Sequence, residues 1–344
     1  MITIQDIANK AGVSATTVSN VVNGKANRVS AATLKKINAI IEESGYVPNM
    51  SARMLVSNSS RVVAIINHIE NDSADGFLSD PFLSGFMSAA EATLRSQGYY
   101  IMFRAVKNEG ELDAFLRGWA VDGLFVTGVF DGDGIADALR GSGKPVVLID
   151  SYVKDLRGLV NIGLEDERGA YIATKYLIDH GHKQIAFAGA PIKSGGVVDK
   201  RFDGYKKALA ESGLELSASR VFEREFATSV TIALGRELAM RSDITAVFAT
   251  ADILAAGIIT GLSEGGKSVP RDVSVVGFDD IFYSRLTNPK LTTIHQNLQR
   301  KGQVAADIMV DLLCGASRDI PSDNIVLPIR LVERESVTKL RAES

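Results

Sequence analysis

Cysteine is nearly absent from this sequence, long apolar runs are absent, and the first residues hold neither a basic cluster nor an apolar centre. Each gap excludes something. The single Cys314 cannot close an intrachain disulfide or supply a cysteine-built metal cluster, and beside Leu312 and Leu313 at helical spacing it is expected to be a small buried hydrophobe. No stretch approaches the roughly 18 apolar residues that a membrane-spanning helix needs. Met1-Ile2-Thr3-Ile4-Gln5-Asp6 does not resemble an export signal, so the chain is expected to stay in the cytoplasm. The four histidines form no metal set, and His180 and His182, flanking Gly181 between a helix and a strand, read as exposed loop residues. No segment pairs a nucleophile with a base or two carboxylates in a legible motif, so neither catalysis nor a cofactor is expected.

A large excess of either charge is also missing. The net charge is −3 over 344 residues, which on totals alone speaks against a polyanionic partner. The distribution is uneven, however. Residues 1–60 carry six Lys and Arg against three Asp and Glu, whereas the remainder carries 32 against 38, so what positive balance there is sits at one end.

That end reads as three short helices. Thr3 and Asp6 have capping-box spacing, and Ile4, Ile7, Ala8 and Ala11 recur at intervals of three and four, giving a helix that stops at Gly12. Ser14 is placed to cap a second helix with Val18, Val21 and Val22 inward and Ala15, Thr16, Ser19 and Asn20 on a short, polar, uncharged outer face. Ser30 caps a third, with Leu34, Ile37, Ile40 and Ile41 as its stripe and Gly45 as its stop. Two helices around a glycine turn, packed on a third, make a helix-turn-helix unit whose second helix enters the DNA major groove. By spacing alone the same pattern also suits a small helical dimerisation module.

The order of residues narrows this. Thr3-Ile4-Gln5-Asp6-Ile7-Ala8, then Ala11-Gly12-Val13-Ser14-Ala15-Thr16-Thr17-Val18-Ser19-Asn20-Val21-Val22-Asn23, then Val29-Ser30 and Gly45-Tyr46-Val47-Pro48-Asn49 resemble the opening signature of the lactose/galactose repressor (LacI/GalR) family of transcriptional regulators. The resemblance implies that Ala15, Thr16 and Asn20 read bases while Thr17 and Ser19 meet phosphates, with Thr3, Ser14, Asn23 and Ser30 completing the set on the head. Many relatives carry Arg where Asn20 stands; Asn suits adenine and Arg guanine, so the preferred half-site is expected to differ there. Pro48-Asn49-Met50-Ser51-Ala52-Arg53-Met54-Leu55 resembles the family's hinge helix, which implies DNA contacts by Asn49, Ala52 and Arg53 and a minor-groove wedge at Leu55. Ser57-Asn58-Ser59-Ser60 reads as linker.

From Val62 the pattern changes to short apolar runs alternating with helical stretches. Val62–Ile66, Gly123–Val126, Val146–Ile149, Ile185–Ala188, Ala246–Ala249 and Val273–Gly277 are near-continuous apolar strands, as parallel sheets covered on both faces require. Six or more such units divide best into two lobes, one from about Val62 to Asp150 and one from about Asn161 to Leu291, with the C-terminal segment crossing back. Facing lobes create a cleft at the carboxyl ends of their strands. His68, Asp150, Asp252 and Asp279 stand at such ends and Arg201 near a helix start, a set that can hold hydroxyl groups, although an aspartate at a strand-to-helix junction is equally an N-cap.

Arg201-Phe202-Asp203-Gly204-Tyr205, Val275-Val276-Gly277-Phe278-Asp279-Asp280 and Leu291-Thr292-Thr293-Ile294-His295-Gln296 extend the family resemblance over nearly the whole chain. It implies ligand roles for Asp150, Arg201, Asp279 and Gln296; Phe82, His68 and Asp252 complete the candidate set. Ala251 stands where many relatives have Asn, so one amide contact is missing and a purine or nucleoside stays open beside a sugar.

The expected fold is therefore an all-α helix-turn-helix domain (1–47), a hinge helix and linker (48–60) and a periplasmic-binding-protein-like α/β domain of two doubly wound parallel-sheet lobes (61–340). The resemblance implies a homodimeric repressor on double-stranded operator DNA, associated with the nucleoid and released by a small-molecule effector; corepression, or a sugar-binding protein with no regulatory role, are the alternatives. With only a few residues after Leu331-Val332-Glu333-Arg334-Glu335-Ser336-Val337-Thr338, a dimer is expected over a tetramer. Gly261-Leu262-Ser263-Glu264-Gly265-Gly266-Lys267-Ser268 matches a phosphate-loop pattern and, around Ser263, a nucleophile-elbow pattern, but with a helix before it and Pro270 after it neither reading is expected to hold.

Overall fold

The computed structural model describes residues 2–22, 29–46, 59–69, 75–315 and 324–340. The chain divides into two compact units, Met1–Ser60 and Arg61–Ser344. The expectations for Asn23, Asn49, Ala52, Arg53 and Leu55 lie outside the described residues.

In the first unit, α1 (Ile4–Ala11) begins with a complete capping box: the Thr3 hydroxyl accepts from the Asp6 N–H at 3.2 Å and the Asp6 carboxylate accepts from the Thr3 N–H at 2.9 Å. Gly12, at φ 69°, takes the left-handed conformation that turns the chain toward α2 (Ala15–Val22). The Ser14 hydroxyl accepts from the Thr17 N–H at 3.1 Å at the start of α2, and Ser30 does the same for Thr33 at 3.2 Å before α3 (Ala31–Ser44). Ile7, Ala8, Ala11, Val18 and Ile37 close the core.

The second unit holds two sheets. The first lobe contains β1 (Val62–His68), α4 (Pro81–Ser96), β2 (Tyr100–Val106), α5 (Glu109–Gly118), β3 (Gly123–Thr127), α6 (Ile135–Gly141), β4 (Val146–Ile149) and β5 (Val160–Leu164). The second contains α7 (Asp166–Asp179), β6 (Ile185–Gly189), α8 (Val197–Glu211), β7 (Val221–Glu223), α9 (Thr228–Ala239), β8 (Ala246–Ala249), α10 (Asp252–Glu264), β9 (Ser274–Asp279), α11 (Tyr283–Leu286) and β10 (Thr292–His295). The chain then returns: α12 (Leu298–Leu313) packs against α4, β11 (Asn324–Leu327) extends the first sheet and β12 (Arg330–Val332) the second. The strand orders are β11-β5-β4-β3-β1-β2 and β12-β10-β9-β8-β6-β7.

Two expectations are corrected here. The first lobe does not end at Asp150, because Val160–Leu164 pairs with β4; Asn161 and Gly163 break the apolar run that would have marked this strand, although all five residues are buried. The sheets are not wholly parallel, since β12 lies antiparallel to β10. The C-terminal segment crosses back as expected, and the chain passes between lobes at three places: after β5, after β10 and between β11 and β12.

Gly261 and Gly265 of the phosphate-loop lookalike have a packing role. Gly261 lies inside α10, and a Cβ there would come 2.1 Å from the Ile232 carbonyl oxygen, so the absence of a side chain is what lets α9 and α10 touch. Cys314 is exposed rather than buried, because α12 ends at Leu313 and the apolar stripe ends with it. His182 is buried, not an exposed loop residue: Nδ1 lies 3.1 Å from Thr245 Oγ1 and Nε2 3.1 Å from the Thr338 carbonyl, and burial lowers its pKa. His180 is half-buried against Tyr176.

Candidate functional site

On the head, α2 carries no charged residue and buries Val18, which leaves Thr16 exposed and Ala15, Thr17, Ser19 and Asn20 partly exposed. The hydroxyls of Thr3, Ser14 and Ser30 are engaged as helix caps. Lys10, Lys35 and Lys36 are exposed on α1 and α3.

In the second unit, the carboxyl ends of the strands face a cavity of about 290 Å³ between the lobes, near the lower size limit for small-molecule sites. Thr127 at the end of β3 and Asp150 after β4 line it from the first lobe, and Thr250 after β8 and Asp279 at the end of β9 line it from the second. Asp150 and Asp279 both take positive φ values, 52° and 118°. That conformation is costly for a residue with a Cβ, and it turns both carboxylates off their sheets toward the cavity. Phe82, Phe130 and Phe226 supply aromatic walls.

The charged groups form one connected network. Arg201 lies in the second turn of α8 rather than at the helix start, and is 5% exposed. Its Nε donates to Asp166 Oδ1 at 2.8 Å, its Nη1 donates to the Thr250 carbonyl, and its Nη1 lies 3.8 Å from Asp279 Oδ1. The guanidinium carbon sits 3.5 Å from the Phe278 ring centroid. Burial works against the charge, but Asp166 and Asp279 hold the Arg201 pKa above its ordinary value. Burial pushes Asp279 up to about 7, and Arg201 and the Gln296 amide oppose that rise. Asp150, also raised by burial, is clasped by Lys301, whose Nζ donates to its two oxygens at 2.8 and 2.6 Å. The same ammonium donates to Gln296 Oε1 at 2.8 Å, and Gln296 Nε2 donates to Asp279 Oδ1 at 2.6 Å. A line of hydrogen bonds thus runs from Asp150 in one lobe to Asp279 in the other.

Of the residues expected at the ligand, the structure brings Phe82, Asp150, Arg201 and Asp279 together at the cavity wall. It does not bring the other three. The Asp252 carboxylate, fully buried, accepts from the Ile281 N–H at 2.9 Å and from the Thr293 hydroxyl at 2.5 Å, so it braces the second lobe from within. Gln296 bridges Lys301 and Asp279 without lining the cavity, and His68 Nδ1 lies 2.7 Å from the Gly128 carbonyl behind the wall. Ala251 does line the cavity and offers no polar group there.

Sequence reasoning missed Lys301, Asp166 and the phenylalanines 130 and 226. Lys301 could have been found: it falls at helical spacing with Leu298, Ala305 and Ile308, on a stripe that is otherwise apolar. Among the described residues, no group of three or more His, Cys, Asp or Glu is placed to hold a metal, and no helix is long and apolar enough to cross a membrane.

A helix-turn-helix head on the same chain as a two-lobed, charge-lined cavity defines a ligand-responsive DNA-binding regulator. Residues 3–49 match the profile of bacterial regulatory proteins of the lacI family, and residues 174–337 match the periplasmic binding protein-like domain. The chain is 32% identical to the HTH-type transcriptional repressor PurR of Glaesserella parasuis serovar 5 (strain SH0165), with 99% of each chain covered, and 31% identical to the HTH-type transcriptional regulator CelR of Thermobifida fusca, over 97% of this chain and 98% of that one. Among solved structures, the lac repressor dimer bound to operator and the anti-inducer ONPF superposes with a TM-score of 0.83 at 26% identity, covering 98% and 99% of the two chains. The CelR–cellobiose complex gives 0.72 at 29% identity, covering 98% and 100%. The protein belongs to the LacI family, which consists of transcriptional regulators rather than enzymes.

Proposed function

We propose that the protein is a repressor that acts in the cytoplasm, binds a pseudo-palindromic operator as a homodimer, and is released by a sugar or sugar derivative held in the interlobe cavity. The observation that carries the effector reading is the meeting of Arg201 and Asp279 on one wall, where a guanidinium and a carboxylate can bond adjacent hydroxyls, with Phe82, Phe130 and Phe226 available to cover the apolar face of a ring. The relative CelR has been solved with cellobiose, and the lac repressor as a dimer on its operator. On the head, Ala15, Thr16 and Asn20 are assigned to base edges, Thr17 and Ser19 to phosphates, and Leu55 to the minor-groove wedge.

An effector can act only by preferring one arrangement of the lobes, and the Asp150–Lys301–Gln296–Asp279 line is one place where each lobe feels the other. Fluorescence anisotropy with promoter fragments at physiological salt tests this reading. Tight binding to one fragment over random duplex, weakened by a sugar that also raises Tm, is the expected result. Equal affinity for every duplex, with and without candidate ligands, would sink it. A ligand that tightens operator binding would replace induction by corepression. The Leu55→Ala variant should lose operator affinity and keep effector affinity.

A further inference from the structure

The charges around the cavity do not balance evenly. Asp150 is neutralised by Lys301, and Asp166 by Arg201. Asp279 is left with its Oδ1 bonded to the Gln296 amide and its Oδ2 without a hydrogen-bond partner among the described residues, although it is only 6% exposed and lines the cavity. Asp80 lines the same cavity and adds a second carboxylate felt by Asp279. Lys193, which lines the cavity wall as Arg201 does, sits over the Phe130 ring. Among the described residues four carboxylates therefore stand against three cations, and Asp279 shares Arg201 with Asp166, at 3.8 Å against 2.8 Å, instead of holding a cation of its own. A buried carboxylate that has only a share in a cation is costly, and it is relieved either by a proton or by an arriving cation.

Beside Asp279 stand Thr250 and Arg201. Thr250 lines the cavity, but its hydroxyl is buried beside Gly189 and has no hydrogen-bond partner among the described residues. The second terminal nitrogen of Arg201, Nη2, donates to no group among the described residues.

Building on the effector reading above, we propose that the ligand is an amine of the amino-sugar class, whose ammonium docks on Asp279 while a neighbouring hydroxyl meets Arg201 Nη2. The aromatic walls suit both parts of such a molecule, covering the ring and facing the cation. Burial, with Asp80, raises the Asp279 pKa to about 7 against the opposing effects of Arg201, the Gln296 amide and Lys301, so the carboxyl is partly protonated near neutrality. Asp252, behind the strand, is itself raised by burial and by Asp279. An ammonium displaces that proton. The ligand class excluded by the same balance is the anion, a sugar phosphate or sugar acid.

The test is a matched panel on the full chain: glucosamine, galactosamine and mannosamine, their hydroxyl parents, and the corresponding 6-phosphates, followed by thermal shift and calorimetry. At least one amine should bind about tenfold or more tightly than its parent, as a charge-assisted bond in a water-poor site allows. Its affinity should rise about tenfold from pH 5.5 to pH 7 as Asp279 gives up its proton. In Asp279→Asn the preference for amine over parent should collapse to within about twofold. Asp80→Asn, which keeps the helix cap, should reduce it by a few-fold. A parent sugar or a phosphate that binds better than the amine overturns the proposal and leaves small-molecule sensing standing. Silence of every amine overturns it too, and silence of all three classes counts against the effector reading itself.

Discussion

In the head, the side chains assigned to recognition stand in the open on α2, a helix without a single charge; in the cleft, the polar groups are charged and nearly sealed from water. The difference follows from what each faces. Base edges present donors and acceptors to small neutral groups such as Thr16 and Asn20, and the exposed Lys10, Lys35 and Lys36 add attraction without needing fixed partners. A small polar ligand must instead be stripped of water, and only charged groups held rigid by other charges compensate that loss. Recognition can therefore be altered in the head with little effect on folding, whereas in the cleft binding and stability are inseparable.

The sharpest way to break that contrast is Lys301→Ala. Removing the ammonium leaves Asp150 buried and unpaired, and stability should fall by about 3–5 kcal/mol in urea unfolding. The double variant Lys301→Met with Asp150→Asn should recover most of it. A loss below about 1 kcal/mol for the single variant would show that water reaches the pair.

Asp279→Asn should act in the opposite direction. Its carboxyl is held up to about 7 by burial, so the folded protein takes up a proton that the unfolded chain, with an ordinary aspartate, has released. That contribution favours folding most at low pH and is lost as the pH rises through about 7. The substitution should therefore stabilise the protein by about 1–3 kcal/mol at pH 8 and by much less at pH 4. A pH-independent difference would mean that Asp279 is ionised throughout.

For the head the comparison predicts the reverse pattern. Asn20→Ala should leave thermal stability within about 0.5 kcal/mol of the parent, yet cost about 1–3 kcal/mol in operator binding measured by anisotropy. Asn20→Arg should move the preference at one half-site position from adenine toward guanine. The smallest effect is that of Thr3→Ala, which removes one half of the capping box and should lower the stability of the head by about 1 kcal/mol.

The same contrast explains what could be read in advance. The head was legible almost to the residue, because its signals are local: Thr3 with Asp6, Ser14 with Thr17 and Ser30 with Thr33 each span three residues. The cleft joins Asp150 to Lys301 across 151 positions, and nothing in a one-dimensional pattern reports which way a carboxylate points. Asp252 and Asp279 looked alike as aspartates near strand ends. The structure turns one inward onto Thr293 and Ile281 and the other toward the cavity. Gln296 is similarly spent on Lys301 and Asp279. Strand β5 escaped notice because Asn161 is fully buried yet polar, its amide committed to the Ser151 N–H and to Asn324.

The three passages of the chain between the lobes have a consequence for evolution and engineering alike. Neither lobe corresponds to an unbroken stretch of gene, so neither can be excised, swapped or duplicated by a single cut and join. A protease that severs one strap would leave two others holding the halves, and only cleavage of all three would let them drift apart.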